Sequence, residues 1–173
     1  MKYMQSGGFQ NNPLMRTTLA FACLFIAGLW ATNFAMYFTR MGLSPDSVVA
    51  YYRGSEADFT PPRSAASMLE TTHAHLPMMA LVLLLLTHLI IFAPYSERAR
   101  FWLIATSFGS AALEEGSGWL VRFAHPGFAV LKTASFLAFQ AVLAVLLATL
   151  GAFLWHAARH EHRASPRGTA RTS

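Results

Sequence analysis

The sequence predicts an all-α integral membrane protein, an antiparallel four-helix bundle with a short interfacial helix in its outer loop. Three observations support this fold class. Of the 173 residues, 54% are apolar and only 12% are charged, about half the charged share of an ordinary soluble domain. The apolar residues are bunched into four stretches, each close to or above the roughly 20 residues that a helix needs to cross the hydrocarbon core. Lysine and arginine are divided unequally between the two sides that this layout creates.

The four stretches define a membrane domain, which we place at residues 1–158. The apolar core of the first stretch is too long for a cleavable signal peptide, so we interpret it as a signal anchor that remains. Residues 159–173 form a basic tail without apolar periodicity, which predicts disorder near the membrane and contact with anionic lipid rather than nucleic acid. The predicted spans are 17–38, 73–93, 101–121 and 128–155, and the outer loop covers residues 39–72.

The lysine and arginine residues predict the orientation of the bundle. With the N-terminus in the cytoplasm, the inner side carries eight of them and the outer side five, and the side richer in these residues is normally cytoplasmic. Both termini are therefore predicted to be cytoplasmic, and the turn around His125 faces the periplasm or exterior. The inner set is Lys2, Arg16, Arg98, Arg100, Arg159, Arg163, Arg167 and Arg171, and the outer set is Arg40, Arg53, Arg63, Arg122 and Lys132.

Local signals in the outer loop predict a short helix lying on the membrane interface. Ser44 is a favourable N-cap, Pro45 suits the first helical turn, and Gly54 is a typical C-terminal stop. Two prolines then break the chain, and either Ser64 or Ser67 can cap the next helix. The second membrane helix is therefore expected to begin before the membrane itself.

The most informative polar cluster lies near the outer end of the second span. Glu70 and His73 form a Glu-x-x-His pair on one helical face, a spacing that lets a carboxylate and an imidazole reach one metal ion. His73 and His75 face opposite ways on a regular helix, and they converge only if the kink expected at Pro77 reorients them. The alternative is that these side chains are solvated at the depth of the lipid headgroups.

Two neighbouring carboxylates, Glu114 and Glu115, lie within the third span, where charged groups are costly and normally have a partner. One interpretation is an ion-pair network with Arg122 and Lys132, in which Glu115 points toward the face of Arg122. The other is compensation by a metal ion. The face of Glu114 also carries small polar residues that suit helix packing or a cavity wall, namely Ser107, Ser110 and Ser117.

The metal hypothesis predicts that side chains from several helices converge at the outer end of the bundle on one divalent ion. The expected ligands are His73, His75, Glu114 and His125, with Glu70 and Glu115 as second-choice ligands or as groups that orient the ligands.

The same histidines also suggest a second kind of site, in which they bind haem b. An outer pair, His73 or His75 with His125, and an inner pair, His88 with His156, could each hold an iron between helices. His125 and His156 lie at or beyond the ends of their spans, whereas haem b proteins generally place paired ligands well inside facing spans. A lone His88 in an apolar span equally suits a core residue that is hydrogen-bonded to a neighbour.

Three blocks of the sequence carry a resemblance: YYRGSE (51–56), THAHLPMMALVLLLLTHL (72–89) and EEGSGWLVRF (114–123). They are similar to blocks of small bacterial four-helix inner-membrane proteins to which no activity is attached. A looser likeness connects the chain to membrane-anchor cytochromes b. The resemblance implies a bacterial inner-membrane location and transfers no catalytic residue.

The leading functional hypothesis is a metal- or haem-binding membrane subunit that serves respiratory electron transfer or metal handling at the outer face. The alternatives are a non-catalytic structural or assembly subunit and a proton-coupled transporter or sensor that uses Glu114 and His88. Phosphate-binding loops, nucleophile elbows and His-Glu-x-x-His motifs are absent from the sequence, and the single Cys23 excludes an intrachain disulfide. A stand-alone enzyme is therefore disfavoured, and other membrane subunits or further copies of the chain are the expected partners.

Overall fold

The computed structural model describes residues 12–164, and this part of the chain is helical. Five α-helices follow one another, with a π-helical turn at Leu120–Ala124 and a 3-10 turn at Pro126–Phe128 between the last two. An isolated bridge joins Ser55 to Thr60, and the described range contains no strand. The helices are α1 (Pro13–Arg40), α2 (Pro45–Arg53), α3 (Ala65–Ile90), α4 (Glu97–Trp119) and α5 (Ala129–Ala164). The predicted tail begins inside α5, and residues 165–173 of it lie outside the described residues.

Side-chain caps fix where the helices begin. Ser44 accepts a hydrogen bond from the main-chain N–H of Ser47 at the start of α2, and Gly54 ends this helix with a φ of 85°, so the predicted short helix is confirmed. Ser64 caps α3 in the same way by accepting from the N–H of Ser67. Ser64 is thus the cap, and the alternative start at Ser67 is wrong because that residue already lies inside the first turn.

Three helical segments in the described part of the chain are long and apolar enough to cross a membrane: α1, α3 and the segment Pro126–His156, which contains most of α5. The predicted third span does form a helix, α4, which has 23 residues. Its composition falls short of the other three because charged side chains lie toward both of its ends, namely Glu97, Arg98, Arg100, Glu114 and Glu115.

Helix α5 lies at the centre of the packing and contacts α1, α2, α3 and α4. Apolar residues recur along α5 at helical spacing, which gives it a continuous buried stripe. The main core includes Ile26, Leu83, Leu86, Ile90, Ala111, Leu143, Leu146 and Leu150. A second core lies where α2 covers one end of the bundle, here called the α2 end, and it includes Tyr37, Met41, Val48, Tyr52, Val121 and Phe136.

Small residues allow α4 to approach its neighbours closely. Ser117 and Ser135 are both buried, and their hydroxyl oxygens are 3.2 Å apart across the α4–α5 contact. A Cβ atom added to Gly118 would lie 2.8 Å from the phenol oxygen of Tyr52, so the absent side chain makes room for α2. The small polar stripe of Ser107, Ser110 and Ser117 is buried, as helix packing requires.

Candidate functional site at the α2 end of the bundle

Charged and polar side chains from three helices meet at the α2 end, where α3 begins, α4 ends and α5 begins. Two carboxylates on α4 pair with different helices, and a cavity lies beside them. We call the following residues the polar cluster: Thr72 and His75 on α3, Glu114 and Glu115 on α4, and Lys132 on α5.

Glu114 and Lys132 form a buried ion pair that connects α4 to α5. The ammonium group of Lys132 contacts the carboxylate of Glu114 and also donates to the main-chain carbonyl of Glu114 at 2.8 Å. Lys132 is only 5% exposed, so an unpaired charge there would lose most of its solvation. The ion-pair interpretation of Glu114 therefore matches the geometry.

Glu115 pairs with α3 instead. One carboxylate oxygen accepts from the hydroxyl of Thr72, and the other lies 3.0 Å from Nδ1 of His75. The indole Nε1 of Trp119 donates to the same Thr72 hydroxyl at 3.0 Å. Adjacent residues of an α-helix point roughly 100° apart, which explains how two neighbouring carboxylates reach two different helices.

Arg122 does not join the carboxylates, so its predicted pairing with Glu115 is wrong. The main-chain N–H of His125 donates to the carbonyl of Leu120 at 3.0 Å, and this π-helical turn changes the direction in which Arg122 points. The Nε of Arg122 donates to the main-chain carbonyl of Arg63 at 2.8 Å. The turn thus attaches the end of α4 to the segment between α2 and α3.

Arg63 organises that segment, a role that was not predicted from the sequence. Its guanidinium donates to the hydroxyls of Tyr51 and Ser67, at 2.8 Å in each case, and lies over the Tyr51 ring, 5.2 Å from the ring centroid. The signal in the sequence that could have pointed to Arg63 is its position directly after two prolines. Burial raises the pKa of the neighbouring Tyr52 phenol, although the charge of Lys132 opposes this shift.

The structure does not assemble the predicted metal ligands. Within the described residues, no three His, Cys, Asp or Glu side chains are grouped so that they could hold one ion. Glu70 and His73 are exposed, and His125 is exposed with its Nδ1 accepting from the N–H of Gly127 at 3.0 Å. Of the expected set, His75 and Glu115 meet, while Glu114 is held by Lys132. Because α3 is helical through Pro77, His73 and His75 point away from each other.

The predicted inner haem ligands have different environments. His88 is partly buried, and its ring packs edge-on against Phe92 with a centroid distance of 5.8 Å. Its Nε2 is buried without a hydrogen-bond partner among the described residues. His156 is exposed near the opposite end of α5 from the polar cluster.

A cavity of about 250 Å³ lies between α1, α3 and α5, beneath α2 and beside the polar cluster. Its wall is mainly apolar and rich in methionine, with His75, Glu114 and Lys132 on one side; it includes Met36, Met41, Met78, Met79, Phe136, Phe139 and Leu143. Two buried polar residues complete the wall, Tyr37 at 6% exposure and Gln140 at 3%. The phenol oxygen of Tyr37 and Oε1 of Gln140 have no hydrogen-bond partner in the described part of the chain.

Tyr37 and Gln140 are not among the residues that the sequence predicted for a site. Gln140 is the one strongly polar side chain in the run FLAFQAVLAVLL (136–147), and an intramembrane polar residue normally marks a functional or packing site. Gln140 could therefore have been identified from the sequence. Tyr37 gave none, because a tyrosine near the end of an apolar helix is ordinary at a membrane interface.

The helices, their apolar composition and this buried polar end define an integral membrane protein in contact with the lipid bilayer. A family profile described as a transmembrane helical domain matches residues 42–161, from just before α2 into the last turns of α5. The chain therefore belongs to this transmembrane helical domain family. The comparisons with curated proteins and with solved structures found no match, and no likeness to cytochromes b emerged.

Proposed function

We propose that the chain is a four-span antiparallel bundle of the bacterial inner membrane that binds an amphipathic small molecule in the cavity at the α2 end. The observation that carries the binding role is the cavity wall, where Tyr37 and Gln140 each have a buried polar atom without a partner among the described residues. A buried polar atom left unpaired costs about 1–3 kcal/mol. A bound molecule with matching polar atoms removes that cost.

The surface of α4 supports its membrane crossing, despite its composition. Between Phe101 and Leu120 its exposed side chains are almost all apolar, and the exposed Thr106 donates its hydroxyl to the carbonyl of Trp102. The carboxylates and buried serines that lower the hydropathy of α4 face the other helices. Such a surface is suited to lipid, since polar groups in the bilayer must be satisfied inside the protein.

The topology is tested with reporter fusions after Gly127 and after Ser173. Four spans with both termini cytoplasmic place the Gly127 fusion outside and the Ser173 fusion inside, as the excess of inner lysine and arginine favours. A third fusion after Ser96 separates the alternatives. If α4 crosses the membrane, the Ser96 and Gly127 fusions report opposite sides. If α4 does not cross, they report the same side.

The geometry favours this role over the metal or haem subunit that the histidines suggested. Both carboxylates are engaged, Glu114 with Lys132 and Glu115 with Thr72 and His75. Pockets that bind drug-sized ligands have volumes of roughly 300–1,000 Å³, so a cavity of about 250 Å³ suits a single ring system better than a porphyrin. A Soret band, or a stoichiometric metal that is lost in His75→Ala and Glu115→Gln, would reverse this preference.

The polar cluster then has a structural role beside the cavity. It connects α3, α4 and α5 through side chains that each have a partner. This arrangement holds the cavity wall in place, in keeping with a subunit of a larger membrane assembly or a homo-oligomer.

Blocking the cavity tests the binding role. Met79 lines the cavity, whereas Leu84 on the same helix is exposed and outside it. The full chain and the variants Met79→Trp and Leu84→Trp are purified in detergent micelles without added lipid, extracted with organic solvent and analysed by mass spectrometry. We expect one amphipathic molecule per chain in the parent and in Leu84→Trp, and its loss in Met79→Trp. Equal retention in both variants would contradict the binding role.

A further inference from the structure

We infer that the molecule held in the cavity is a quinol or quinone whose ring lies against Tyr37 and Gln140 and whose isoprenoid tail extends into the bilayer. This inference rests on the proposed function and names its ligand class. Four features of the cavity support it: an unpaired acceptor, an unpaired hydroxyl beside aromatic rings, an opening toward lipid, and a wall whose described residues include no buried cation that an anionic headgroup could use.

The first feature is the amide of Gln140. The main-chain carbonyl of Gln140 already accepts from Nε1 of Trp30 at 3.0 Å, which fixes the position of this residue between α1 and α5. Its side-chain Oε1 remains buried and unpaired among the described residues. An oxygen acceptor in an apolar cavity requires a hydrogen-bond donor, and an acyl chain has none. A quinol hydroxyl supplies one.

The second feature is the hydroxyl of Tyr37. The Tyr37 ring stacks on Phe136, with centroids 3.8 Å apart and planes 17° from parallel, and Phe139 lies on the same wall. A phenol can donate to a quinone carbonyl or accept from a quinol hydroxyl. Aromatic walls around a polar atom favour a flat ring that carries oxygen substituents.

The third feature is the side of the cavity between α1 and α3. Met36 of α1 and Met78 of α3 line the cavity while remaining 50% and 53% exposed, so they form its rim. Both side chains are apolar and flexible, which suits a mobile hydrocarbon tail. Gln140 lies two turns along α5 from Lys132, or about 12 Å, which places the ring deeper than the ion pair and within reach of the lipid tails.

The fourth feature is the charge balance of the cavity. The buried ammonium group of Lys132 is neutralised by Glu114, and Arg40 is exposed. A phosphate at the depth of Gln140 would therefore be buried without a free cation, which is strongly unfavourable. An uncharged ring with two oxygens carries no such cost, so the cavity favours a quinol or quinone over a phospholipid.

Binding is tested with decylubiquinol and decylubiquinone added to the full chain in phosphatidylcholine nanodiscs. The readouts are the thermal unfolding midpoint and the quenching of tryptophan fluorescence, since Trp30 contacts Gln140. We expect both probes to raise the midpoint of the parent. Tyr37→Phe should raise the Kd of both probes about tenfold, the effect of losing one hydrogen bond. Gln140→Leu should do so for decylubiquinol alone, because the quinone has no hydrogen to donate to Oε1.

The matched control is Tyr95→Phe, since Tyr95 is exposed, lies outside the cavity and has a hydroxyl 3.4 Å from that of Thr149. It should bind both probes as the parent does. Without probe, Gln140→Leu should unfold at the same temperature as the parent or higher, because the substitution removes an unpaired polar atom. A loss of affinity together with unchanged or improved stability distinguishes a binding role from a structural one.

Other outcomes overturn the inference in distinguishable ways. If neither probe shifts the midpoint while the solvent extract contains phospholipid that Met79→Trp loses, the cavity binds lipid and the quinol assignment is wrong. If nothing is lost in Met79→Trp, the proposed binding function fails with it. If Gln140→Leu and Tyr37→Phe bind the probes like Tyr95→Phe, the quinone ring does not lie where we place it.

Discussion

Replacing Lys132 by methionine tests whether the buried ion pair organises the bundle. Lys132 is 5% exposed, and its ammonium group donates to the carboxylate and to the main-chain carbonyl of Glu114. Methionine matches the length of the lysine stem but leaves the Glu114 carboxylate without its cation. Breaking a buried pair by removing one partner costs about 3–5 kcal/mol, so Lys132→Met should lower the free energy of unfolding by this amount. That is a large share of the roughly 5–15 kcal/mol that stabilises a typical domain.

The double variant Glu114→Leu/Lys132→Met isolates the pairing from the loss of the individual groups. With no charge left unpaired, it should recover most of the stability lost in Lys132→Met, since apolar replacement of a buried pair is often neutral or stabilising. The assay is reversible unfolding in mixed micelles, followed by far-ultraviolet circular dichroism. Thr106→Val on the exposed side of α4 is the control. If Lys132→Met costs no more than this control, or if the double variant is no more stable than Lys132→Met, the pair does not organise the bundle.

Three further predictions concern α2 and its supports. Gly118→Val should cost about 1–3 kcal/mol by overpacking, because an added Cβ meets Tyr52 at 2.8 Å, whereas Gly109→Val, with open space, should be nearly neutral in the same unfolding assay. Gly54→Ala should cost about 1–3 kcal/mol, because φ is 85° and the Cβ would lie 2.6 Å from a carbonyl oxygen; Gly42→Ala is the control, and equal midpoints would contradict the strain. Burial raises the Tyr52 pKa, so stability should fall as pH rises above about 10, and Tyr52→Phe should lose less in a pH series.

Local signals allowed part of the fold to be predicted from the sequence. The short helix α2 depends on groups within one or two turns of each other, the Ser44 hydroxyl at its start and Gly54 at its end. The presence of α1 and α3 follows from the apolar runs that they contain. The buried serines of α4 follow from their spacing on one face. Each of these features is determined by residues close together in the chain.

The partners of the polar groups could not be predicted in the same way. Which helix each of Glu114 and Glu115 meets depends on the rotation of α4, which packing against α3 and α5 decides. A shift of one residue turns a side chain by roughly 100°, enough to exchange one partner helix for another. The cavity could not be predicted from local sequence either, because Tyr37 on α1 and Gln140 on α5 come together only in the folded bundle.

The π-helical turn at Leu120–Ala124 has a consequence for how chain length can vary in this family. Its hydrogen bond from the N–H of His125 to the carbonyl of Leu120 spans one residue more than an α-helical bond. A homologue that lacks one residue in this turn can keep α4 and the following 3-10 turn. Its α4 would then end in an ordinary α-helical turn instead of the π-helical turn. It would lose the position from which Arg122 reaches Arg63. One-residue gaps in related sequences are therefore expected to coincide with loss of this arginine.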